Sequence, residues 1–298
     1  MLGKLRVLAP AKVNLHLRVL AKRSDGYHSI ETVFHTIGLW DEIRLANSPR
    51  FRFSAAGLPT PAGGANLCVR AYRLLKDATG TGQEASLKLV KRIPSGAGLG
   101  GGSADAAACL AGLNRLWNLK LDRKRLAILA GRLGSDVPFF LSGGAALGRG
   151  RGEKLHPLVS RLSRWAVILK PGFGIPTALA YTELDRSRKG TDPGPSVNAV
   201  TRGLRTGTLP LRIHNDFEPV AERLHPLVHR LMVFLGNAGA SPAFLTGSGS
   251  AVVGIFPSAS RACAPRALAV TRLARTRFGV RAEAVRLAPF RLRISSIP

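Results

Sequence analysis

Apolar and polar residues alternate near the start of the chain. Val13, Leu15, Leu17 and Val19 are separated by Asn14, His16 and Arg18. A period of two predicts a half-buried strand. Ala21 to His28 reads as a turn-rich loop with Asp25-Gly26 as its turn signal. Thr32 to Leu39 reads as a second strand and Glu42 to Leu45 as a third. Beyond a Pro/Gly loop from Pro59 to Gly64 the period changes. Leu67, Ala71 and Leu74/Leu75 fall at helical spacing within Asn66 to Ala78, with Asn66 suited to the N-cap. Ser86 to Ile93 alternates again and runs into PSGAGLGGGSA, Pro94 to Ala104. In the helical run Ala104 to Asn118, residues Ala106, Leu110, Leu113 and Trp117 share a face. Asp122 is placed to cap a helix from Arg123 to Leu133. Pro138 starts a short turn after Asp136.

Gly143 to Gly152 is a glycine- and arginine-rich connection, and a domain boundary is placed near Leu155 to Leu162. The expected domains are 1–157 and 158–298. In the second, Ala166 to Leu169, Ala251 to Phe256 and Val280 to Val285 read as strands, and Pro219 to Leu235 and Cys263 to Phe278 as helices. Arg186 to Ser196 reads as a mobile polar loop. Helices mixed with a few strands indicate α+β rather than a long βαβ series.

Charge changes the picture less than its size suggests. The net charge of +27 over 298 residues raises nucleic-acid binding as a function. Yet the basic residues are spread along the whole chain, as in Arg132, Arg202 and Arg277, and aromatics are only 6%. Stacking platforms are therefore scarce, which argues against a nucleic-acid partner. The field still favours capture of an anionic small molecule. Cys68, Cys109 and Cys263 are far apart, with no metal-ligand spacing, so no protein metal site is read. Asn237 to Ser260 is uncharged, but its Gly, Ser and Pro content argues against a membrane span. A soluble cytoplasmic protein, monomeric or weakly dimeric, is expected.

The glycine loop carries the chemistry. Glycines before a helix N-terminus expose N–H groups to an anion. Gly96 to Gly101 is a literal GxGxxG. Asp122 lies at the distance a dinucleotide fold wants for its acid, but it opens a helix instead of ending a strand. No GK[ST] ends the loop, and the VAIK, HRD and DFG set of protein kinases is absent. A packing loop without a ligand is the bland alternative, made costly by glycine's backbone entropy.

Three segments in order resemble the motifs of the GHMP kinases: Pro10-Ala11-Lys12-Val13-Asn14-Leu15, the Pro94–Ala104 loop, and Leu245-Thr246-Gly247-Ser248-Gly249-Ser250. PAKVNLHL, RSDGYHSIETVF, KRIPSGAGLGGGSADAA, LGSDVPFF and HNDFE resemble the branch that uses ATP to phosphorylate the 2-hydroxyl of a CDP-linked methylerythritol in non-mevalonate isoprenoid synthesis. The resemblance implies a ribosomal-protein-like N-terminal domain, a ferredoxin-like C-terminal domain, and ATP with Mg²⁺ in the cleft between them.

Site residues follow from the same resemblance. Asp136 is implied as general base and Lys12 as the cation that holds it ionised. Pro94, Ser95, Gly96, Ala97, Gly98, Leu99, Gly100, Gly101, Gly102, Ser103 and Ala104 are implied to hold the ATP phosphates. Ser103 could contact phosphate or Mg²⁺, or simply cap the helix. Many relatives carry a second serine where this chain has Ala104, which removes one hydroxyl. Asn66 and Lys91 fall where nucleotide contacts lie, although a helix cap and an exposed strand lysine explain them equally well. Tyr27 and His28 are implied as cytidine contacts, with Tyr181 as the other side of the clamp, and Thr177 before it as a substrate contact. Asn14 is implied to position the substrate, and Gly247 and Ser248 to face its diphosphate. Asn215 and Asp216 read as structural or cleft-lining.

Overall fold

The computed structural model describes residues 3–187, 194–257 and 263–297. Two long strands, β1 (Lys4–Lys22) and β2 (His28–Asn47), pair antiparallel along most of their length. They are followed by β3 (Arg52–Gly57), α1 (Leu67–Thr79), β4 (Ala85–Lys91), α2 (Gly101–Leu116), α3 (Arg123–Leu133), α4 (Val137–Ser142), β5 (Ala145–Arg149) and β6 (Lys154–Leu158). The second half holds β7 (Arg164–Lys170), α5 (Thr177–Ser187), α6 (Val197–Thr206), α7 (Glu218–Leu224), α8 (Leu227–Asn237), β8 (Ala243–Leu245), β9 (Val252–Phe256), α9 (Cys263–Phe278), β10 (Arg281–Leu287) and β11 (Arg293–Ile297). The architecture is α+β.

The strands form one sheet with the backbone order β11-β1-β2-β10-β7-β9-β8. β2 is long enough to serve several partners: Glu42–Asn47 pair β4, Thr32–His35 pair β5, and Ile37 meets Leu287 of β10. The chain crosses back over the expected 157/158 boundary, because β11 pairs Lys4–Leu8 of β1. One apolar core lies between the β1/β2/β4 face and α1 to α4, around Val7, Ile43, Leu89 and Leu110. A second lies under α7, α8 and α9, around Leu169, Leu231 and Val252.

Several expectations are corrected. The second and third strands are one strand, β2, with Asp41 fully buried inside it. The first strand is not half-buried: residues 11–17 are buried on both faces, with Thr246 against Asn14 and His214 against His16 and Leu17. The helix expected over Pro219 to Leu235 is two helices broken before Pro226, which lacks the N–H to continue the first. The glycine-rich connection contains β5. Ser103 does not cap α2, whose N-cap is Gly100 with no side-chain bond. Asn66 and Asp122 do cap α1 and α3, accepting from the N–H groups of Cys68 and Arg125. The expected mobile loop falls partly at 188–193, and the uncharged stretch ends at 258–260, both outside the described residues. Among the described residues no helix is long and apolar enough to cross a membrane.

His35 gives the fold a pH dependence. It is fully buried, with Nδ1 bonded to the Thr36 carbonyl at 2.8 Å and Nε2 to the Ser160 hydroxyl at 2.8 Å. Burial pushes its pKa down to about 4. Between the ordinary imidazole value and that one, the unfolded chain binds a proton the folded chain refuses. Stability is therefore full above the unfolded pKa and falls as pH drops through the window. Unfolding free energy from urea titration should drop by about 2 kcal/mol from His35 alone between pH 7 and 4.5. His35→Gln should flatten that part of the profile, and an unchanged slope would contradict the assignment.

Candidate active site

β1 brings Lys12 and Asn14 to a cleft of about 590 Å³. The start of α4 brings Asp136 to the same place. The Lys12 ammonium lies 3.5 Å from Asp136 Oδ2 and donates to Asn14 Oδ1 at 2.7 Å. Asn14 Nδ2 in turn donates to Thr32 Oγ1 at 2.7 Å. Lys12 is buried at 4% exposure, whereas Asp136 is 33% exposed and opens to the cleft. Burial holds the Lys12 pKa below the ordinary lysine value, and the Asp136 carboxylate offsets this only in part. Asp136 occupies the N-cap position of α4 without making a side-chain cap bond, so its carboxylate is available for chemistry.

The glycine loop separates this cleft from a second cavity of about 250 Å³, lined by Thr60, Asn66, Pro94, Ser95, Ala97, Gly101, Gly102 and Ser103 among others. Gly96, Gly98 and Gly100 line both. Leu99 and Ala104 are buried and line neither, so side chains there contribute only to the core. Lys12 N–H donates to the Leu99 carbonyl at 3.0 Å, which fixes the loop against β1.

The loop is also held from the second half. Ala251 N–H donates to the Ala97 carbonyl of the loop at 3.2 Å. The neighbouring segment is itself tied down: Asn14 N–H donates to Thr246 Oγ1 at 3.0 Å, and Asn215 Nδ2 donates to the carbonyls of Leu245 and Gly247 at 2.8 and 2.9 Å. Asn215 is thus structural: it shapes the Thr246–Ser250 loop. Asp216 is structural too, accepting from Val19 N–H at 2.6 Å.

Two glycines of the loop separate packing from ligand binding. Gly98 has φ +74°, and a Cβ there would lie 2.0 Å from the Thr246 carbonyl oxygen. Gly96 has φ +61°, but a Cβ there meets nothing within 4 Å of protein. Gly98→Ala should therefore cost about 2–4 kcal/mol in urea denaturation, from left-handed strain plus overpacking. Gly96→Ala should cost about 1 kcal/mol and raise KM for the nucleotide. Equal stability losses would contradict this division.

Lys91 is not the exposed strand lysine considered from sequence. It is 1% exposed and its ammonium is bonded to Asp41 and, at 2.7 Å, to Asp105. Asp41 Oδ1 also accepts from the N–H groups of Arg92 and Ile93, the residues entering the glycine loop. Burial alone would lower the Lys91 pKa, but the two carboxylates outweigh it and hold it raised. Burial and the charge of Asp41 hold Asp105 well above the carboxylate range. A Cβ on Gly101 would sit 2.7 Å from Lys91 Nζ, so the lysine lies directly beneath the loop.

At the far end of the cleft, Tyr27 is 57% exposed with the Arg151 guanidinium 5.0 Å over its ring. His28 stacks on Tyr181 with centroids 5.0 Å apart. Those two rings touch each other, so nothing fits between them. Burial, then the Asp136 charge, pushes the Tyr181 pKa up to about 12, so its hydroxyl stays protonated. Thr177 and Ser248 hydroxyls are 3.1 Å apart across the cleft. Sequence reasoning missed Thr32, Arg151 and Asp185 as cleft residues. Thr177, Tyr181 and Asp185 stand four residues apart, a helical stripe that could have revealed α5 and its cleft face.

Residues 66–144 match the family model "GHMP kinases N terminal domain", and residues 206–265 match "GHMP kinases C terminal". Fold and site together therefore define a GHMP kinase. A 4-diphosphocytidyl-2-C-methyl-D-erythritol kinase of Moorella thermoacetica is 44% identical over 254 residues, 83% of this chain and 88% of the relative. The kinase of the same name from Prosthecochloris aestuarii is 41% identical, over 86% of this chain and 90% of the relative. A crystal structure of 4-(cytidine 5'-diphospho)-2C-methyl-D-erythritol kinase superposes with a TM-score of 0.80 at 36% identity, covering 96% of this chain and all of that one (100%). Homoserine kinase from Cytophaga hutchinsonii shares the fold, with a TM-score of 0.74 at 20% identity over 99% and 98% of the two chains. This chain belongs to the 4-diphosphocytidyl-2-C-methyl-D-erythritol kinase family.

Proposed function

We propose that the protein transfers the γ-phosphoryl group of ATP to the 2-hydroxyl of 4-diphosphocytidyl-2-C-methyl-D-erythritol. The observation that carries this reading is the Lys12–Asp136 pair, set in a cleft that shares Gly96, Gly98 and Gly100 with the adjoining cavity. A nucleotide in the smaller cavity, near Asn66, would pass its phosphates over those glycines toward the pair. Loop N–H groups and the start of α2 then face the phosphate charge. Family membership supports the acceptor.

Phosphoryl transfer asks the protein for positioning, charge neutralisation and a base. Asp136 takes the proton from the attacking 2-hydroxyl. Lys12, 3.5 Å from that carboxylate, stabilises charge building on the attacking oxygen. Asn14 orients the Lys12 ammonium. Gly247 and Ser248 face the acceptor's diphosphate, with Thr177 opposite. Tyr27 and Tyr181 flank the cytosine, and His28 reads its edge. Mg²⁺ suits this chemistry: the Ser103 hydroxyl lines the nucleotide cavity without a protein partner among the described residues, and it is a hard oxygen donor of the kind Mg²⁺ takes alongside phosphates. Bound with ATP, the ion would neutralise phosphate charge.

The test offers ATP and Mg²⁺ with separate acceptors, namely the CDP-linked methylerythritol, mevalonate and homoserine, and follows ADP. Turnover of the CDP-linked acceptor alone is expected. Turnover of mevalonate or homoserine with the CDP-linked acceptor untouched would overturn the reading.

A further inference from the structure

Asp185 stands in the cleft with no role in the transfer just described. It sits on α5, one turn beyond Tyr181, and is 35% exposed. Its Oδ1 lies 2.9 Å from His28 Nε2, and its Oδ2 lies 3.8 Å from Lys22 Nζ. His28 is 6% exposed and its ring is fixed by stacking on Tyr181. Its second nitrogen, Nδ1, has no protein partner among the described residues, and His28 lines the cleft.

We infer that Asp185 is a positioning residue that sets base specificity by fixing the tautomer of His28. The inference rests on the cytidine-linked acceptor proposed above. An ionised carboxylate only accepts hydrogen bonds. The proton of neutral His28 is therefore held on Nε2, donating to Asp185. Nδ1 is left as a lone-pair acceptor on a ring that cannot turn. An acceptor at that point matches the exocyclic amine of cytosine, which donates. It repels the carbonyl oxygen that uracil carries at the same place. Moving the proton to Nδ1 would suit uracil but would set the Nε2 lone pair against the Asp185 carboxylate. Discrimination thus resides in a pair, His28 against the base and Asp185 behind it.

Asp185→Asn removes the asymmetry at nearly constant shape. An amide can present either its oxygen or its NH₂ to Nε2, so both tautomers become tolerable. The experiment compares kcat/KM for CDP-linked and UDP-linked methylerythritol in the wild type and Asp185→Asn. It also reads the His28 tautomer by ¹⁵N NMR of the imidazole. In the wild type the Nε2–H form should dominate and the CDP-linked acceptor should be preferred. In Asp185→Asn the Nε2–H signature should weaken and the preference should fall about tenfold or more, the scale of one well-placed hydrogen bond in a dry site. A purely structural role would lower both rates together and leave their ratio unchanged. An unchanged ratio, or an unchanged tautomer, overturns the inference while leaving the proposed function standing. If the wild type turns over neither nucleotide-linked acceptor, the proposed function fails and the inference fails with it.

Discussion

Asp136→Asn should lower kcat by about a hundred- to ten-thousand-fold, the usual contribution of a positioned general base. The variant should fold and should bind ATP as the wild type does. Three features lead to this expectation. The carboxylate makes no cap bond to α4, so the helix does not depend on it. It is partly exposed, and in the amide variant the buried Lys12 ammonium keeps its bond to Asn14 Oδ1. It lies in the large cleft and does not line the smaller cavity beside Asn66. Lys12→Met should also slow turnover. Because the two groups act as one unit, the double variant should be little slower than the worse single one. Initial rates of ADP formation and nucleotide titration by calorimetry check both points. A kcat within a few-fold of wild type in Asp136→Asn would rule out the base role.

Lys91→Met should destabilise the protein by about 3–5 kcal/mol, the cost of stranding a buried charge by removing its partner. Asp41 is fully buried and would keep its two backbone N–H donors but lose its cation. Asp105→Asn should be far milder, because the Asp105 carboxyl is already held toward its neutral form. Urea denaturation of the two variants is the check. Equal losses would mean that Asp105 carries a full charge in the native protein. The comparison also bears on nucleotide binding. Lys91 is held by its carboxylates beneath Gly101, so on the proposed reading it would act on ATP only through the shape of the loop.

Much of the site was legible because it lies in short motifs whose chemistry is local. Lys12, Asn14, the glycine loop and Asp136 could be named without knowing how the strands pair. What brings them together was not legible. Lys12 and Asp136 are far apart in sequence and meet only because α2 and α4 pack on the β1/β2 sheet. Asp41 breaks the apolar pattern of β2 between the two segments that read as separate strands. The pairing with Lys91 and two backbone N–H donors make a carboxylate tolerable there. β11 gave no signal of its own, since its short segment is defined by an edge of β1 nearly three hundred residues earlier in the chain. Asn66 shows both sides of the problem. Its cap role was readable from its neighbours, whereas its place beside the smaller cavity was suggested only by the resemblance, not by the local pattern.

The most direct measurement follows ATP and the CDP-linked methylerythritol to completion and locates the new phosphate by ³¹P NMR. The predicted result is ADP released in step with acceptor consumed, and a new phosphomonoester on the 2-hydroxyl. Release of ADP without a phosphorylated acceptor, or a phosphate on any other oxygen, would contradict the account.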